Sequence, residues 1–188
     1  VKKEGINPVV EIMLPLIMDK KEFIYIKEIV EKEIKRVLAK KGMQITYQIG
    51  AMIEVPRAAI LADELAKECD FFSFGTNDLT QLTFGFSRDD AAKFLKDYYS
   101  KNILAHDPFM SLDTNGVGTL VKIAAQMAKS IKPNISLGVC GEHAADEKSI
   151  EFFDKIGLSY ISASSYRIPV AKLAAAKAAL ANNRDLGV

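Results

Sequence analysis

Apolar and polar residues follow two different patterns along this chain, and the two patterns alternate from one end to the other. Short, mostly apolar runs such as residues 9–16 and 45–54 have the length and composition of buried strands. Residues 20–41 instead repeat apolar side chains every three or four positions, with lysine and glutamate between them. That spacing is typical of an amphipathic helix with a solvated charged face. The chain is therefore predicted to be an α/β protein.

The two patterns predict five strand–helix units. Strands are predicted at residues 9–16, 45–54, 71–74, 135–140 and 158–163. Helices are predicted at residues 20–41, between the capping residues Asp19 and Gly42, at 57–69 after Pro56, at 116–131, after Asp146 as far as Gly157, and from Pro169 to about Asn182. The segment 79–113 is predicted to be a long functional connection with one short helix near residues 90–95.

The order of these elements limits the fold class. Strands that are apolar on both faces and joined by helices form parallel sheets with right-handed crossovers. Five such units fit either a doubly wound sheet or part of an eight-unit (β/α)8 barrel of the TIM type. Both folds place their functional groups at the carboxyl ends of the strands.

Polar side chains follow three successive strands of this chain at the point where each strand ends. Because the carboxyl ends of neighbouring parallel strands lie side by side, we expect these groups to converge. They are Glu54 after the second strand, Gly75, Thr76, Asn77 and Asp78 after the third, and Cys140, Gly141, Glu142 and His143 after the fourth.

Glu54 and Asp78 are two acids at neighbouring strand ends. Two carboxylates together with ligand oxygens suit Mg²⁺, a hard cation that keeps several of its waters. The alternative is structural: Glu54 pairs with Arg57, and Asp78 caps the helix that follows it. A glycine-rich loop of the Walker type is absent from the sequence, so nucleotide binding is not supported.

Cys140 ends a strand ahead of a predicted helix start, and a helix N-terminus lowers a thiol pKa and makes the thiol reactive. The alternative is a small buried apolar residue, which is how we interpret Cys69. Cys140 and His143 supply only two of the four ligands that a zinc site needs. Their closeness in sequence also differs from the usual geometry of a Cys–His nucleophile pair.

Composition narrows the classes of partner and compartment. The 188 residues carry a net charge of +1, which gives no electrostatic case for nucleic acid or for an anionic membrane. No apolar run is long enough to span a bilayer. Two distant cysteines indicate a reducing, cytoplasmic setting. The chain starts at Val1 without a signal peptide, and we interpret that start as an internal cut in a longer polypeptide.

Several motifs together carry a resemblance that spans nearly the whole chain. They are GAMIEVPRAA around Glu54, FFSFGTNDLTQLTFGFSRDD, GVGTLV, GVCGEH and YRIPVAKLAAA. These segments resemble the phosphoenolpyruvate/pyruvate-binding domain of the phosphoenolpyruvate-utilising enzymes. The aromatic-rich segment FSFGTNDLTQLTFGFSRDD and Cys-Gly-Glu-His favour the pyruvate, phosphate dikinases over phosphoenolpyruvate synthase and enzyme I of the sugar phosphotransferase system. Ala144 departs from the glycine that is usual in the dikinases.

The resemblance implies a fold and a set of residue roles. Residues 1–188 would be part of a (β/α)8 barrel domain, about strands four to eight. Glu54 and Asp78 match Mg²⁺ ligands that also bind substrate. Gly75, Thr76 and Asn77 match residues that hold substrate oxygens. Cys140 matches the acid/base that exchanges a proton with C3 of the enolate, and Tyr160 matches a residue near the pyruvate pocket. The substrate-binding arginines of the first two strands match nothing in this chain.

The resemblance also implies a whole-enzyme reaction, in which a phosphoryl group passes between a phosphohistidine and pyruvate enolate. ATP, phosphate and pyruvate then give AMP, diphosphate and phosphoenolpyruvate. Nucleotide-binding and phosphohistidine domains of the same polypeptide would be needed, in a homodimer, so this chain alone is expected to be inactive. Turnover towards pyruvate needs a protonated thiol, so the surroundings of Cys140 should offset the helix-end effect. The alternative of another class is a non-catalytic α/β dimerisation module.

Overall fold

The computed structural model describes residues 4–182, which form one parallel sheet with helices packed against it. The strands are β1 (Val10–Leu14), β2 (Tyr47–Ile53), β3 (Phe71–Gly75), β4 (Ser136–Cys140) and β5 (Tyr160–Ser162). The helices are α1 (Lys20–Lys41), α2 (Pro56–Ile60), α3 (Ala62–Ala66), α4 (Thr76–Phe84), α5 (Arg88–Ser100), α6 (Val117–Ile131), α7 (Glu147–Lys155) and α8 (Ile168–Ala181). Short 3₁₀ turns at Glu142–Ala145 and Ser165–Arg167 follow β4 and β5.

The order of the strands in the sheet is the order of the strands in the chain, β1-β2-β3-β4-β5, and every neighbouring pair is parallel. A doubly wound sheet reverses its strand order at a switch point, and this sheet does not. Sequential order is the arrangement of a barrel wall. The five described strands form a sequential parallel wall that is not closed, which is consistent with the carboxyl-terminal part of a TIM-type barrel that the resemblance implied.

The two faces of the sheet differ in their side chains. Alternate residues of the central strands pack against the helices in a single buried cluster, as Ile53, Phe72, Phe74 and Val139 show. The helical side of this cluster is rich in alanine and valine from α2, α3 and α6. The opposite face combines glycines and polar side chains with a few large ones such as Phe71 and Tyr160, and Ser73, Gly75 and Cys140 lie on it.

The predicted helix ends are confirmed where the sequence supplied a cap. Asp19 Oδ1 accepts a hydrogen bond from the Lys21 N–H at 2.8 Å, and Gly42 ends α1 in the left-handed region at φ 57°. The Asp146 side chain accepts from the Ser149 N–H at the start of α7. Lysine and glutamate on α1 form a solvated face with pairs such as Lys35–Glu31.

The single helix predicted at residues 57–69 was wrong in one respect. The structure has two five-residue helices, α2 and α3, because Leu61 leaves helical geometry with ψ 27°. The break lets Ala58, Ala59 and Ala62 all sit fully buried against the sheet. Apolar spacing does not detect a one-residue break, since both halves keep their buried alanines on the same side.

The segment 79–113 was also predicted with too little helix. Thr76 continues directly from β3 into α4, which Gly85 ends with φ 66°, and α5 then runs over thirteen residues. Helix α5 has its own small apolar cluster of Ala91, Leu95 and Phe109, separate from the main core. This part of the chain therefore contains the two helices α4 and α5 rather than one short helix.

The sheet has two edges, β1 and β5, each paired on one side among the described strands. Apolar side chains are exposed beside the β1 edge, where Val9 is 75% and Met13 is 37% exposed. Helix α8 also exposes Leu173 and Leu180, at 60% and 64%. None of the helices within residues 4–182 is long and apolar enough to cross a membrane.

We predict that this chain, expressed alone, self-associates, because an unpaired strand edge with exposed apolar side chains recruits other chains. Sedimentation velocity should show oligomers or aggregates. Met13→Lys puts a charge on the β1 edge and should shift the distribution towards the monomer. Tyr25→Lys is the matched control, since Tyr25 is an exposed apolar residue on α1, 67% exposed and away from the edge strands. A dispersed wild-type monomer would contradict the prediction.

Candidate functional site

Apart from Tyr160 on β5, the predicted site residues lie at the carboxyl ends of β2, β3 and β4, on one edge of the sheet. The parallel register pairs Ile53 with Phe74 and Gly75 with Cys140. Glu54 follows Ile53 directly, so the acid, the glycine and the thiol end up side by side across three strands. The convergence expected from the sequence is therefore present in the fold.

The Glu54 carboxyl group is 3% exposed and lies against the backbone of β3. A Cβ atom on residue 75 would sit 2.5 Å from Glu54 Oε2, so Gly75 is required for this approach. Glu54 Oε1 accepts a 2.7 Å hydrogen bond from the Leu16 N–H. Burial raises the pKa of Glu54, and the neighbouring Asp78 carboxylate raises it further, whereas the Leu16 N–H acts in the opposite direction.

Neither structural alternative for the two acids is what the structure contains. Arg57 bonds Asp19 and the carbonyl of Met18, at 2.9 and 2.7 Å, in place of Glu54. Asp78 is an exposed residue in the first turn of α4, and no side chain caps that helix. The two acids are thus a carboxylate pair, one member buried and one facing solvent.

Cys140 is half-buried, and its Sγ lies 3.7 Å from the Phe74 carbonyl oxygen, within reach of a weak S–H donation. Burial raises the pKa of the Cys140 thiol, an effect that the Ser73 hydroxyl reduces and that the charges of Glu54 and Asp78 reinforce. The expectation that its surroundings offset a helix-end effect is confirmed in direction. Cys69 is the buried packing thiol that we expected, with its pKa raised to about 12 by burial.

Tyr160 stands on β5 opposite Gly138 of β4, and its ring occupies the space that a side chain at position 138 would need. Burial raises the pKa of Tyr160, and the nearby Ser73 hydroxyl acts in the opposite direction, as it also does on Cys140. Tyr160 and Cys140 therefore share the inner face of the sheet with a buried serine between them.

The loop after β4 is tied to the start of α4 by a buried histidine. His143 is fully buried, with Nδ1 2.7 Å from Thr76 Oγ1 and Nε2 2.8 Å from the Pro108 carbonyl oxygen. A carbonyl only accepts, so Nε2 carries the proton in the neutral ring and Nδ1 accepts from Thr76. Thr76 Oγ1 also lies 3.1 Å from the Cys140 carbonyl oxygen, a second acceptor.

Asn77 is held by the same loop. Its Oδ1 accepts from the Glu142 N–H at 3.4 Å, and its Nδ2 donates to Glu142 Oε2 at 3.3 Å. Gly141 makes this approach possible, because its φ of 105° favours glycine and an added Cβ would lie 3.0 Å from Asn77 Oδ1. Neither ring nitrogen of His143 faces the Cys140 thiol, which agrees with the exclusion of a Cys–His pair.

Comparison with known proteins adds a family to this geometry. A family model described as "PEP-utilising enzyme, PEP-binding domain" matches residues 2–180. Pyruvate, phosphate dikinase of Clostridium symbiosum is 53% identical over 183 residues, covering 97% of this chain and 21% of the relative. The Rhizobium meliloti dikinase is 51% identical over 182 residues, covering 97% and 20%, and chloroplastic dikinase 1 of Arabidopsis thaliana is 49% identical over 178 residues, covering 95% and 18%.

The chain belongs to the PEP-utilising enzymes. It spans about a fifth of the length of these curated dikinases. The family match covers the whole described sheet, including every strand end that contributes to the site. The resemblance read from the motifs is thereby confirmed.

Two residues of this site, Ser73 and His143, were not identified as site residues from the sequence. Ser73 lies inside an aromatic run that reads as plain strand, yet it is 2% exposed and its hydroxyl faces Cys140 and Tyr160. His143 was weighed only as a partner for Cys140, whereas it binds Thr76 and Pro108. The period-two alternation of β3 puts Ser73 on the same face as Gly75, and that signal could have identified it.

The carboxylate pair is the part of the site that suits a metal. Its donors are oxygens only, and Glu54 is buried beside a second acid that raises its pKa, an arrangement that a hard divalent cation would relieve. Within residues 4–182, no three His, Cys, Asp or Glu side chains gather closely enough to enclose an ion. Two carboxylates with water and substrate oxygens are a usual set for Mg²⁺.

We predict that the buried His143 makes this region sensitive to acid. Burial lowers the pKa of His143 below its ordinary 6.5, so below pH 6.5 the unfolded chain binds the proton that the folded chain resists. Stability is therefore intact above pH 6.5 and declines as the pH falls towards the folded pKa, by up to about 1.4 kcal/mol per pH unit.

Hydrogen exchange of residues 136–145 between pH 7.5 and 5.5 measures this effect. His143→Gln should flatten the pH dependence, since glutamine does not titrate. His106→Gln is the matched control, because it removes the only other histidine of the chain, which is exposed, and it should keep the wild-type slope. An unchanged slope in His143→Gln would refute the assignment.

Proposed function

We propose that this chain is the phosphoenolpyruvate/pyruvate-binding part of a pyruvate, phosphate dikinase. The whole enzyme would carry a phosphoryl group between a phosphohistidine and pyruvate enolate, and residues 1–188 would be an incomplete barrel domain within it. The observation that carries the proposal is the convergence of a carboxylate pair and a protonated thiol on one strand edge. The 53% identity to the dikinase of Clostridium symbiosum over 97% of the chain adds support.

Glu54 and Asp78 would hold Mg²⁺, each through carboxylate oxygen. The Leu16 N–H occupies one oxygen of Glu54, which leaves Oε2, beside Gly75, for the ion. Bound there, Mg²⁺ would neutralise the negative charge that develops on the enolate oxygen and on the incoming phosphoryl group. The two acids would then also lie next to the substrate, as the resemblance implies.

Gly75, Thr76 and Asn77 would bind the carboxylate and enolate or phosphate oxygens of the substrate. Helix α4 starts at Thr76 after Gly75, which has no side chain to cap it, and the backbone N–H groups of its first turn would donate to an anion. The Thr76 hydroxyl is engaged with His143 and the Cys140 carbonyl, so Thr76 would act through its backbone. Asn77 keeps one amide N–H for the substrate.

Cys140 would exchange a proton with C3 of the enolate. Its raised pKa keeps the thiol protonated at neutral pH, the form that donates a proton to the enolate in the direction of pyruvate. In the opposite direction the thiolate would take a methyl proton from pyruvate. Tyr160 and Ser73 line the same face and would enclose the methyl end of the substrate.

The resemblance extends the proposal to partners. The phosphoryl group would come from a phosphohistidine domain of the same polypeptide, and the whole enzyme would be a homodimer. Both cysteines are free thiols, which supports a reducing, cytoplasmic setting. Calorimetry with oxalate, an enolate analogue, and Mg²⁺ distinguishes this site from a non-catalytic dimerisation module, which would bind neither.

The first test of the proposal concerns the acids. In the complete enzyme, Glu54→Gln and Asp78→Asn should each lower turnover between pyruvate and phosphoenolpyruvate by about 10²- to 10³-fold, because each removes a charge from the metal site. Phosphorylation of the histidine from nucleotide should stay normal in both variants. Asp97→Asn, an exposed acid on α5, is the matched control and should be fully active. Near-normal turnover of both variants at limiting Mg²⁺ would show that the acids bind no metal.

A second test concerns the thiol. Cys140→Ser keeps the size of the side chain, but a hydroxyl cannot ionise usefully, so proton transfer at C3 should fall by about 10²- to 10⁴-fold. Proton NMR of pyruvate in deuterated water, with Mg²⁺ and the complete enzyme, follows the exchange of the methyl protons directly. Oxalate binding should persist in this variant, and Cys69→Ala, which alters the buried thiol away from the site, should exchange normally. Unchanged exchange in Cys140→Ser would assign the proton to another group.

A further inference from the structure

A closed ring of polar contacts joins Asn77 to three motif residues that have no role in the proposed reaction: Gln81, Arg88 and Glu142. Gln81 Oε1 accepts from the Arg88 N–H at 2.9 Å, and Arg88 Nη2 donates to Glu142 Oε1 at 2.8 Å. Glu142 Oε2 then accepts from Asn77 Nδ2. Because Asn77 and Gln81 lie one turn apart on α4, the ring starts and ends on the same helix.

The contacts of Glu142 determine which way the Asn77 amide points. Its backbone N–H meets Oδ1, and its carboxylate meets Nδ2. A flipped amide would set N–H groups against the backbone N–H and oxygen against the carboxylate, so both contacts would become repulsive. One amide N–H therefore stays with Glu142, and the other is left for a ligand oxygen at the strand edge.

Arg88 holds in place the Glu142 carboxylate, which orients the Asn77 amide. Its guanidinium is the main reason that the pKa of Glu142 is lowered, with Asn77 the next contributor. Both side chains are about 45% exposed, so solvent screens the pair and it contributes little to stability. Its value lies in geometry, because an ionised carboxylate accepts at both oxygens at once, one for Arg88 and one for Asn77.

We propose that Glu142 is a positioning residue, which orients the Asn77 amide towards a substrate oxygen while Arg88 and Gln81 hold Glu142 in place. The inference rests on the proposed function, under which Asn77 binds an oxygen of pyruvate or phosphoenolpyruvate. It gives the acid of Cys-Gly-Glu-His a role that is distinct from that of the neighbouring thiol.

A glutamate–lysine pair elsewhere on the surface shows what an ordinary ion pair looks like in this fold. Glu147 and Lys177 join α7 to α8 at 3.0 Å, with side chains 61% and 56% exposed. Glu147→Gln is thus a matched control for Glu142→Gln, since it makes the same chemical change in a pair that positions nothing in the site.

The test uses the complete enzyme and two readouts, kcat/KM for pyruvate and the dissociation constant of oxalate with Mg²⁺. Glutamine accepts at only one oxygen, so Glu142→Gln turns an amide towards either Arg88 or Asn77. We expect kcat/KM to fall about tenfold, since a misplaced binding group costs that much or more, and oxalate to bind more weakly. Arg88→Ala should act in the same direction by about threefold, and Glu147→Gln should behave as wild type.

A double-mutant cycle with Asn77→Ala separates positioning from a general structural effect. If Glu142 acts through Asn77, then Glu142→Gln has no further effect once Asn77 is alanine. Equal losses in both backgrounds, a normal Glu142→Gln enzyme, or a normal Asn77→Ala enzyme would each overturn the inference. Should the wild type not turn over pyruvate at all, the proposed function fails, and the oxalate cycle still measures the coupling between the two residues.

Discussion

The register between β3 and β4 is the constraint on which the site depends. It pairs Gly75 with Cys140, so the glycine that admits the Glu54 carboxyl lies directly beside the thiol. A side chain at position 75 would collide with Glu54 Oε2, and a shift by one residue would turn Cys140 towards the helices. The acid and the thiol share one edge only because glycine and register agree.

The loop after β4 extends this constraint to the start of α4. Within three residues, Gly141 permits the approach, Glu142 holds Asn77 and His143 holds Thr76. The segment that follows the proposed proton-transfer residue thus also holds the residues proposed to bind the substrate. A loop movement large enough to displace Cys140 would disturb both groups, so the proposed proton-transfer residue and the proposed substrate-binding residues would move together.

Two titratable groups of this region, Glu54 and His143, destabilise the fold electrostatically. A buried Glu54 next to Asp78 and a fully buried His143 are both held in places that disfavour their charged forms. Such perturbed groups cluster where chemistry is done, whereas a purely structural sheet edge would replace them with apolar side chains. The surrounding core of alanine and aromatic residues stabilises the sheet against this cost.

The sequence by itself determined the five strands, most of the helices, the motifs and the family, because these depend on local spacing and on the identity of residues. It also placed Glu54, Asp78 and Cys140 at strand ends, since a parallel sheet aligns such ends wherever they lie in the chain. The strand–helix pattern left barrel and doubly wound sheets open, because local patterns do not record strand order, and only the family resemblance implied the barrel. The sequential strand order of the tertiary structure is that of the barrel.

The tertiary structure alone also decided which side chains meet. Arg57 had Asp19 within reach as well as Glu54, and spacing along the chain cannot rank two partners that lie 38 and 3 residues away. His143 finds Thr76 across 67 residues of sequence, and Ser73 meets Cys140 across a strand pair. A residue's chemistry can be read from its identity, but its partner is fixed by distance in space, which only the folded sheet establishes.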